Sequence, residues 1–254
     1  ALAEDVQMVI VGRVIQGAGA ISAAVTALAA DLTRDQHRTK VMAMIGSSIG
    51  LVFAASLVIS PALYSAIGMH GMFLLIALLA LLAIPLLLKV VPDPEAPPVA
   101  VPTPFAQVIR DGQLMRLNFG VFAVHLVQMA MFLMVPLALV ERVGMPVSTH
   151  WKIYLPVVLA SFVIMVPAII WSERKARNKT LLLSAILALI ASQLLFLVSG
   201  DTLATIAGGL FVFFTAFNLL EASLPSLVSR VAPPLAKGAA LGAFNTAQAV
   251  GAAL

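Results

Sequence analysis

Long apolar runs follow one another along this chain, with only short polar breaks between them. Seven runs are complete and an eighth begins near the end: Val6–Ala30, Val41–Ile67, Met69–Leu88, Leu117–Val140, Ile153–Trp171, Leu181–Ser199, Leu203–Ser229 and Gly238–Leu254. A helix needs roughly 20 apolar residues to cross a bilayer. Only 10% of the residues are charged, whereas a soluble domain carries about 25%. We therefore predict an all-α polytopic membrane protein.

The basic residues are concentrated in alternate breaks between these runs. Two, Arg142 and Lys152, lie in one set of breaks, and twelve lie in the other: Arg34, Arg38, Lys40, Lys89, Arg110, Arg116, Arg174, Lys175, Arg177, Lys179, Arg230 and Lys237. Short cytoplasmic loops carry an excess of Lys and Arg. We therefore place the breaks that hold twelve basic residues in the cytoplasm, so that the first helix runs from outside to inside. This topology accounts for the net charge of +4 without a nucleic-acid partner.

The chain offers little for metal or redox chemistry. It contains no cysteine, which excludes a disulfide framework and a Cys-metal site. Its four histidines are scattered without the spacing of metal ligands. We expect neither a metal nor a cofactor.

One break differs from the others and divides the chain. Lys89–Pro104 holds six prolines in sixteen residues, so it cannot be helical and predicts a semi-rigid cytoplasmic linker. Phe105–Arg116 follows, with Phe105, Val108 and Ile109 on one face, and predicts an amphipathic helix on the membrane surface. The predicted organisation is an N-terminal bundle at 1–88, the linker and surface helix at 89–116, and a C-terminal bundle at 117–254.

An internal repeat supports this division into two bundles. A shift of 199 residues superimposes the end of the first run on the end of the seventh, and it pairs Leu28 with Leu227, Asp31 with Arg230 and Arg38 with Lys237. Repeats of the same orientation on either side of a linker are typical of one large class of transporters.

The stretch Gly12–Ala20, GRVIQGAGA, contains a charge inside an apolar run. Arg13 and Gln16 are three residues apart and therefore share a helix face, while Gly17 and Gly19 allow a neighbouring backbone to approach closely. A guanidinium at this depth can pair with a carboxylate in a transport role. The alternative is that Arg13 extends to the outer membrane interface.

This stretch resembles the fourth-helix motif RxxQGxGA of the drug:proton antiporter branch of the major facilitator superfamily. The segment 31–43, DLTRDQHRTKVMA, resembles that branch's loop between helices four and five. The resemblance covers the whole chain and implies a fragment that extends from helix four to the start of helix eleven. It implies proton-coupled efflux of small, drug-like molecules by alternating access, in a monomer embedded in the lipid bilayer of the cell inner membrane.

The resemblance also implies charges that latch the cytoplasmic side. Within WSERKAR at 171–177, three residues match the DRxxR part of the family's signature, and the first loop adds three more; these candidate gate charges are Glu173, Arg174, Arg177, Asp31, Arg34 and Arg38. The alternative is ordinary positive charge on the cytoplasmic side. The branch's GPxxGG motif is degraded to SPALYS at 60–65, where only Pro61 remains.

The segment Gly46–Gly50, GSSIG, matches the GxSxG pattern of serine hydrolases, which requires a strand, a turn and a helix. It lies inside an apolar run, where Gly46 and Gly50 form a GxxxG helix-packing face. Three function classes follow from the sequence. They are the transporter, a membrane scaffold or sensor that keeps the fold without transporting, and an intramembrane serine hydrolase.

Polar side chains inside the later runs are the candidate proton sites. His125 and Gln128 share a face in the fourth run, and Asn218 and Glu221 share one in the seventh. An ionised Glu221 would be costly within a membrane unless it is paired, and His titrates near neutral pH. Either residue can carry a coupling proton; the alternative for each is a structural hydrogen bond.

Overall fold

The computed structural model describes most of the chain as α-helix. It covers residues 5–18, 24–25, 28–29, 32–33, 35–92, 105–175, 177–199, 202–233 and 236–254. Over these residues the helices are α1 (Val6–Ala18), α2 (Asp35–Val90), α3 (Phe105–Arg110), α4 (Gly112–Glu141), α5 (Trp151–Arg174), α6 (Asn178–Ser199), α7 (Leu203–Val231) and α8 (Lys237–Ala253). A short 3-10 helix, Val147–Thr149, precedes α5. The described part holds no strand, and the all-α prediction is confirmed.

Five segments within the described residues are long and apolar enough to cross a membrane. They are Ser48–Val90, Gly112–Glu141, Val147–Ser172, Asn178–Val198 and Leu203–Val231. The first has 43 residues, about twice the length of one crossing. The final helix α8 has 17 residues, slightly short of a full span. A polytopic membrane protein is the result, as the spacing of the apolar runs predicts.

Gly68 interrupts α2 between the second and third apolar runs. Its backbone has φ 64° and ψ −177°, a conformation that is essentially restricted to glycine because a Cβ would clash with the adjacent peptide. Helical geometry continues on both sides, over 35–67 and 69–90. The glycine therefore separates two spans with a single residue.

The chain forms two compact units, residues 1–99 and 100–254. In the second unit α7 lies at the centre, and α4, α5, α6 and α8 all contact it. Its side chains fill the core, and Leu210, Phe213 and Leu220 are almost fully buried. The rings of Phe213 and Phe214 meet edge to face at 5.2 Å, a preferred aromatic geometry.

The outward faces of these helices are apolar as well. Leu133, Val163, Leu187 and Leu197 are large aliphatic side chains that lie mostly exposed. In water such a surface would be unstable, whereas in a bilayer it contacts lipid tails of the same polarity. Side-chain packing and interhelical hydrogen bonds must then hold the helices together.

The predicted surface helix at Phe105–Arg116 is wrong in two respects. The chain is extended at Asp111 (φ −73°, ψ 113°), whose carboxylate accepts hydrogen bonds from the amides of Gln113 at 2.8 Å and Leu114 at 3.1 Å. Asp111 thus caps α4, and capping by Asp ends the preceding segment at Arg110. Val108 is 2% exposed whereas Phe105 is 53% exposed, so the predicted apolar face is divided.

Candidate functional site

Three polar side chains from three helices meet inside the second unit. His125 of α4 places its Nε2 atom 3.7 Å from Oε2 of Glu221 on α7. The same Nε2 atom lies 2.8 Å from Nε2 of Gln248 on α8. We call His125, Glu221 and Gln248 the polar cluster. At the Nε2 atom of His125, the cluster connects α4 to α7 and α8, which lie far from it in the sequence.

The contact at Nδ1 indicates which tautomer His125 adopts when neutral. Its Nδ1 atom lies 3.0 Å from the carbonyl oxygen of Val121, and since a carbonyl only accepts, Nδ1 carries the hydrogen and donates it. In the neutral ring, Nε2 then accepts from the Gln248 amide. A further proton can enter the ring only at Nε2, the atom that faces Glu221.

Close contact between α4 and α8 positions Gln248 against His125. A Cβ on Gly251 would lie 2.9 Å from the carbonyl carbon of Phe122 and would collide with the carbonyl oxygen. Gly251 follows Gln248 by three residues, and His125 follows Phe122 by three. Gln248 and His125 thus lie one helical turn from the glycine contact, and the close approach of the two helices brings their side chains within hydrogen-bonding distance.

Glu221 is the one member of the polar cluster with an unmet hydrogen-bonding group. Its Oε2 atom is buried and has no hydrogen-bond partner among the described residues. The side chain as a whole is 37% exposed, so part of it reaches the surface of the unit. The ring of Phe217, one turn earlier, meets the His125 ring at 5.7 Å and limits space around it. A buried carboxylate oxygen without a partner favours a protonated acid or a cationic neighbour.

The other candidates in α4 and α7 lie apart from this contact. Asn218 donates to Oγ of Ser161 on α5 at 2.8 Å, and the Ser161 hydroxyl donates to the Val158 carbonyl at 2.6 Å. Gln128, one turn beyond His125, takes no part in the hydrogen bonds of the cluster. The structure therefore brings together His125 and Glu221 of the predicted set and assigns Asn218 to an interhelical hydrogen bond.

Sequence reasoning missed Gln248 and Ser161. The signal for Gln248 was the same one that identified Gln128, an amide within an apolar run. Ser161 gave no signal, since serine is common in membrane helices and satisfies itself on its own backbone. The described residues contain no group of three His, Asp or Glu that could hold a metal.

In the first unit, Arg13 and Gln16 lie on one face of α1. Nη1 of Arg13 donates to Oε1 of Gln16 at 2.8 Å, and both side chains are exposed. Gly17 has no heavy atom within 4 Å of the position that a Cβ would take, while Gly19 lies outside the described residues. The guanidinium is thus held by a neutral partner and keeps its charge available.

The GxSxG segment is helical, without the strand and turn that a nucleophile elbow needs. The hydroxyl of Ser48 donates to the Ile45 carbonyl one turn earlier, at 2.8 Å. The side chains of 46 and 47 are outside the description, so the packing face predicted for Gly46 and Gly50 stays a prediction.

The candidate gate charges are described only in part. Asp31 and Arg34 lie outside the described residues, as do the side chains of Arg38 and Glu173. Arg174 is exposed at the end of α5. The guanidinium carbon of Arg177 lies 5.7 Å from the centroid of the Trp171 ring, a cation–π contact.

Comparison with known proteins places the whole chain in one group. A family model described as Major Facilitator Superfamily matches residues 1–254. The chain is 38% identical over 259 residues to the inner membrane transport protein YajR of Escherichia coli, covering 100% of this chain and 57% of that protein. It is 28% identical over 248 residues to an uncharacterized transporter of Buchnera aphidicola from Acyrthosiphon pisum, covering 95% of this chain and 63% of the relative.

A second Buchnera aphidicola transporter, from Baizongia pistaciae and also uncharacterized, is 27% identical over 254 residues, with 97% of this chain and 64% of the relative covered. The chain thus spans less than two thirds of the length of each of these relatives.

Proposed function

Since the chain belongs to the Major Facilitator Superfamily, we propose that the protein is a proton-coupled secondary active transporter that exports small, drug-like molecules by alternating access. Its relatives carry the names of transporters, which supports the transport function. The observation that carries proton coupling is the 3.7 Å approach of His125 Nε2 to Glu221 Oε2. A carboxyl group and an imidazole are both able to carry a proton, and both side chains belong to helices long and apolar enough to cross a membrane.

The pair holds one proton in two arrangements. In the first, Glu221 is protonated and His125 is neutral, with Nε2 accepting from Gln248. In the second, the proton is on Nε2 and the imidazolium pairs with the Glu221 carboxylate. Transfer requires the two atoms to approach more closely than 3.7 Å, because a direct hydrogen bond needs about 3 Å. The position of the proton is therefore tied to the packing of α7 against α4.

Loss of the proton changes which conformation is favoured. Deprotonation leaves an ionised Glu221 beside a neutral imidazole, with one oxygen buried and no hydrogen bond to it from the described residues. This state is costly in an apolar environment, so the helices shift until the carboxylate reaches water or a cationic substrate. Uptake of a proton on one side of the membrane and its release on the other can thus drive the protein from one conformation to the other.

Other charged groups are given supporting roles. Arg13, held by Gln16, serves as a coupling element in the first bundle. The six gate charges, Asp31, Arg34, Arg38, Glu173, Arg174 and Arg177, act on the cytoplasmic side, where the linker 89–116 also lies. The protein acts as a monomer in the inner membrane. Family membership, together with the helical Ser48, excludes the intramembrane hydrolase.

Proteoliposomes that contain the intact protein test this proposal. An internal pH-sensitive dye reports proton movement while a panel of lipophilic and cationic compounds is added under an imposed pH gradient. We expect wild-type protein to exchange protons for a compound, and Glu221→Gln to abolish proton movement because the amide cannot titrate. The matched control is Glu141→Gln, at the exposed end of α4. Proton-driven exchange that survives in Glu221→Gln would contradict the role of this residue.

A further inference from the structure

The ends of three helices enclose a small polar cavity in the second unit. It has a volume of about 60 Å³ and lies between the end of α5, the start of α6 and the last turns of α7. Its polar lining consists of Ser172, Asn178, Ser223, Ser226 and Arg230. The cavity is separate from the polar cluster, and the proposed transport mechanism makes no use of it.

Two of the lining serines lack a bond that three serines elsewhere in these helices make. The hydroxyls of Ser161, Ser184 and Ser192 each donate to a carbonyl one turn earlier in their own helix, at 2.6 to 2.8 Å. Within the described part of the chain, Ser223 and Ser226 have no side-chain hydrogen bond of this kind. Since hydroxyls in membrane helices normally satisfy themselves on the backbone, these two are available to a ligand.

The remaining polar groups of the cavity also offer donors. The Ser172 hydroxyl is fully buried and donates to Oδ1 of Asn178 at 2.8 Å, which leaves the amide hydrogens of Asn178 available. The first backbone amides of α6 lack acceptors within the helix. Arg230 adds a positive charge, and the described lining residues include no carboxylate. Among the described lining residues, the combination of donors and a cation is suited to an anion.

The surroundings indicate which anion. Arg174 ends α5, Lys175 lies on the connection from α5 to α6, and Lys179 lies at the start of α6. Next to the lining residues, Ile170, Trp171 and Leu183 are exposed apolar side chains. Trp is enriched at the depth of lipid headgroups. These helix ends therefore suit a phospholipid. The basic residues match its anionic headgroup, and the exposed apolar residues match its acyl chains.

We propose that this cavity binds a phosphate group, supplied by the headgroup of an anionic membrane lipid. Its volume corresponds to several water-sized spaces of roughly 10–15 Å³ each, enough for a compact oxyanion but too small for a lipid, whose acyl chains lie outside against the apolar residues. The serine hydroxyls and the Asn178 amide donate to the phosphate oxygens, and the Arg230 guanidinium neutralises the charge. On the predicted topology the site faces the cytoplasmic leaflet, which carries anionic lipids.

Arg230 is the residue on which binding depends most. The cavity receives the C-terminal ends of α5 and α7, whose partial negative charge opposes an anion. Hydroxyl and amide donors are therefore insufficient without a full positive charge. The exposed hydroxyl of Ser226 supplies one hydrogen bond, and its removal weakens the site to a lesser degree.

Native mass spectrometry of the intact protein, with equal amounts of phosphatidylglycerol and phosphatidylcholine, tests the proposal. We expect wild-type protein to retain one phosphatidylglycerol, Arg230→Gln to lower that retention about tenfold, Arg230→Lys to preserve part of it, and Ser226→Ala to lower it about threefold. Arg116→Gln, an exposed arginine at the start of α4, is the matched control and should retain the lipid. Thermal unfolding of each variant is measured to check that it is folded.

A second arm adds inorganic phosphate without lipid and distinguishes the two sources of the anion. Displacement of phosphatidylglycerol at high phosphate, with lipid retained at low phosphate, supports the headgroup site. Phosphate binding that depends on Arg230 without any lipid preference would overturn the lipid source. Equal loss in Arg230→Gln and Arg116→Gln, or no retention by wild-type protein, would overturn the site. None of these results depends on proton coupling, since no titratable residue of the polar cluster is altered.

Discussion

Gln248 and His125 are 123 residues apart in the sequence, yet their Nε2 atoms lie 2.8 Å apart. The bond connects α8 to α4 at the nitrogen that also faces Glu221. It can form with a neutral His125, where the amide donates, or with a protonated one, where the amide must rotate so that its oxygen accepts. The Gln248 amide thus responds directly to the protonation state of His125.

Replacement of Gln248 by Leu should weaken the contact between α4 and α8. Leu has a similar volume but cannot donate to His125, so the imidazole nitrogen is left without a partner. We expect the free energy of unfolding to fall by about 0.5–1.5 kcal/mol, measured by denaturation in detergent micelles. Gln128→Leu is the matched control, since Gln128 takes no part in the polar cluster. Equal losses in the two variants would show that the bond makes no specific contribution.

Gly251→Ala should separate α8 from α4. The new methyl group would collide with the Phe122 carbonyl, and a rigid backbone group cannot move aside as a side chain can. We expect a loss of about 1–3 kcal/mol in the free energy of unfolding, the usual cost of overpacking.

The same collision should break the bond between His125 and Gln248, visible as a changed ¹⁵N shift of the His125 ring. Gly242→Ala on the same helix is the control, because nothing lies within 4 Å of its added methyl group. A destabilisation in Gly242→Ala as large as that in Gly251→Ala would contradict this explanation.

The sequence predicted the elements of this fold more completely than the site. Apolar runs are set by the thickness of the bilayer, so their lengths alone identified the five segments that are long and apolar enough to cross a membrane, and the break at Gly68 within the first of them. His125 and Glu221 were identified separately, because each is a costly polar group in an apolar run. Their contact depends on how α4 packs against α7, and no local pattern encodes that packing.

Two failures have identifiable physical causes. Gln248 has the same sequence signal as Gln128, an amide within an apolar run, but its contact with His125 depends on the close approach at Gly251, which exists only when the two helices are packed together. The helix predicted at Phe105–Arg116 failed because its apolar spacing was given more weight than Asp111, a residue that favours the start of a helix. Asp111 defines the boundary between α3 and α4, and the spacing of the apolar residues gives no sign of that boundary.

The hydrogen bond between Asn218 and Ser161 should contribute to the packing of α7 against α5. A double-mutant cycle with Asn218→Ala and Ser161→Ala measures this contribution. Hydrogen bonds between membrane helices average about 0.6 kcal/mol and reach about 1.7 kcal/mol; because Ser161 is fully buried, we expect a coupling energy in the upper half of that range. Strictly additive losses would mean that the 2.8 Å contact does not stabilise the protein.

The predicted topology can be tested by cysteine labelling, since this chain contains no cysteine of its own. His70 follows the break at Gly68, and Val147 lies in the break between α4 and α5; both positions are predicted to face outward. Thr180 and Gly238 lie at helix starts predicted to face the cytoplasm, and all four residues are exposed. We expect a membrane-impermeant maleimide added to intact cells to label His70→Cys and Val147→Cys. Thr180→Cys and Gly238→Cys should react only after the membrane is permeabilised.

The choice of neutral or weakly basic positions leaves the Lys and Arg that set the orientation in place. Labelling in the reverse pattern would contradict the topology, and with it the cytoplasmic position of the gate charges and of the phosphate cavity. Labelling of Val147→Cys and Thr180→Cys from the same side would instead show that α5 does not cross the membrane.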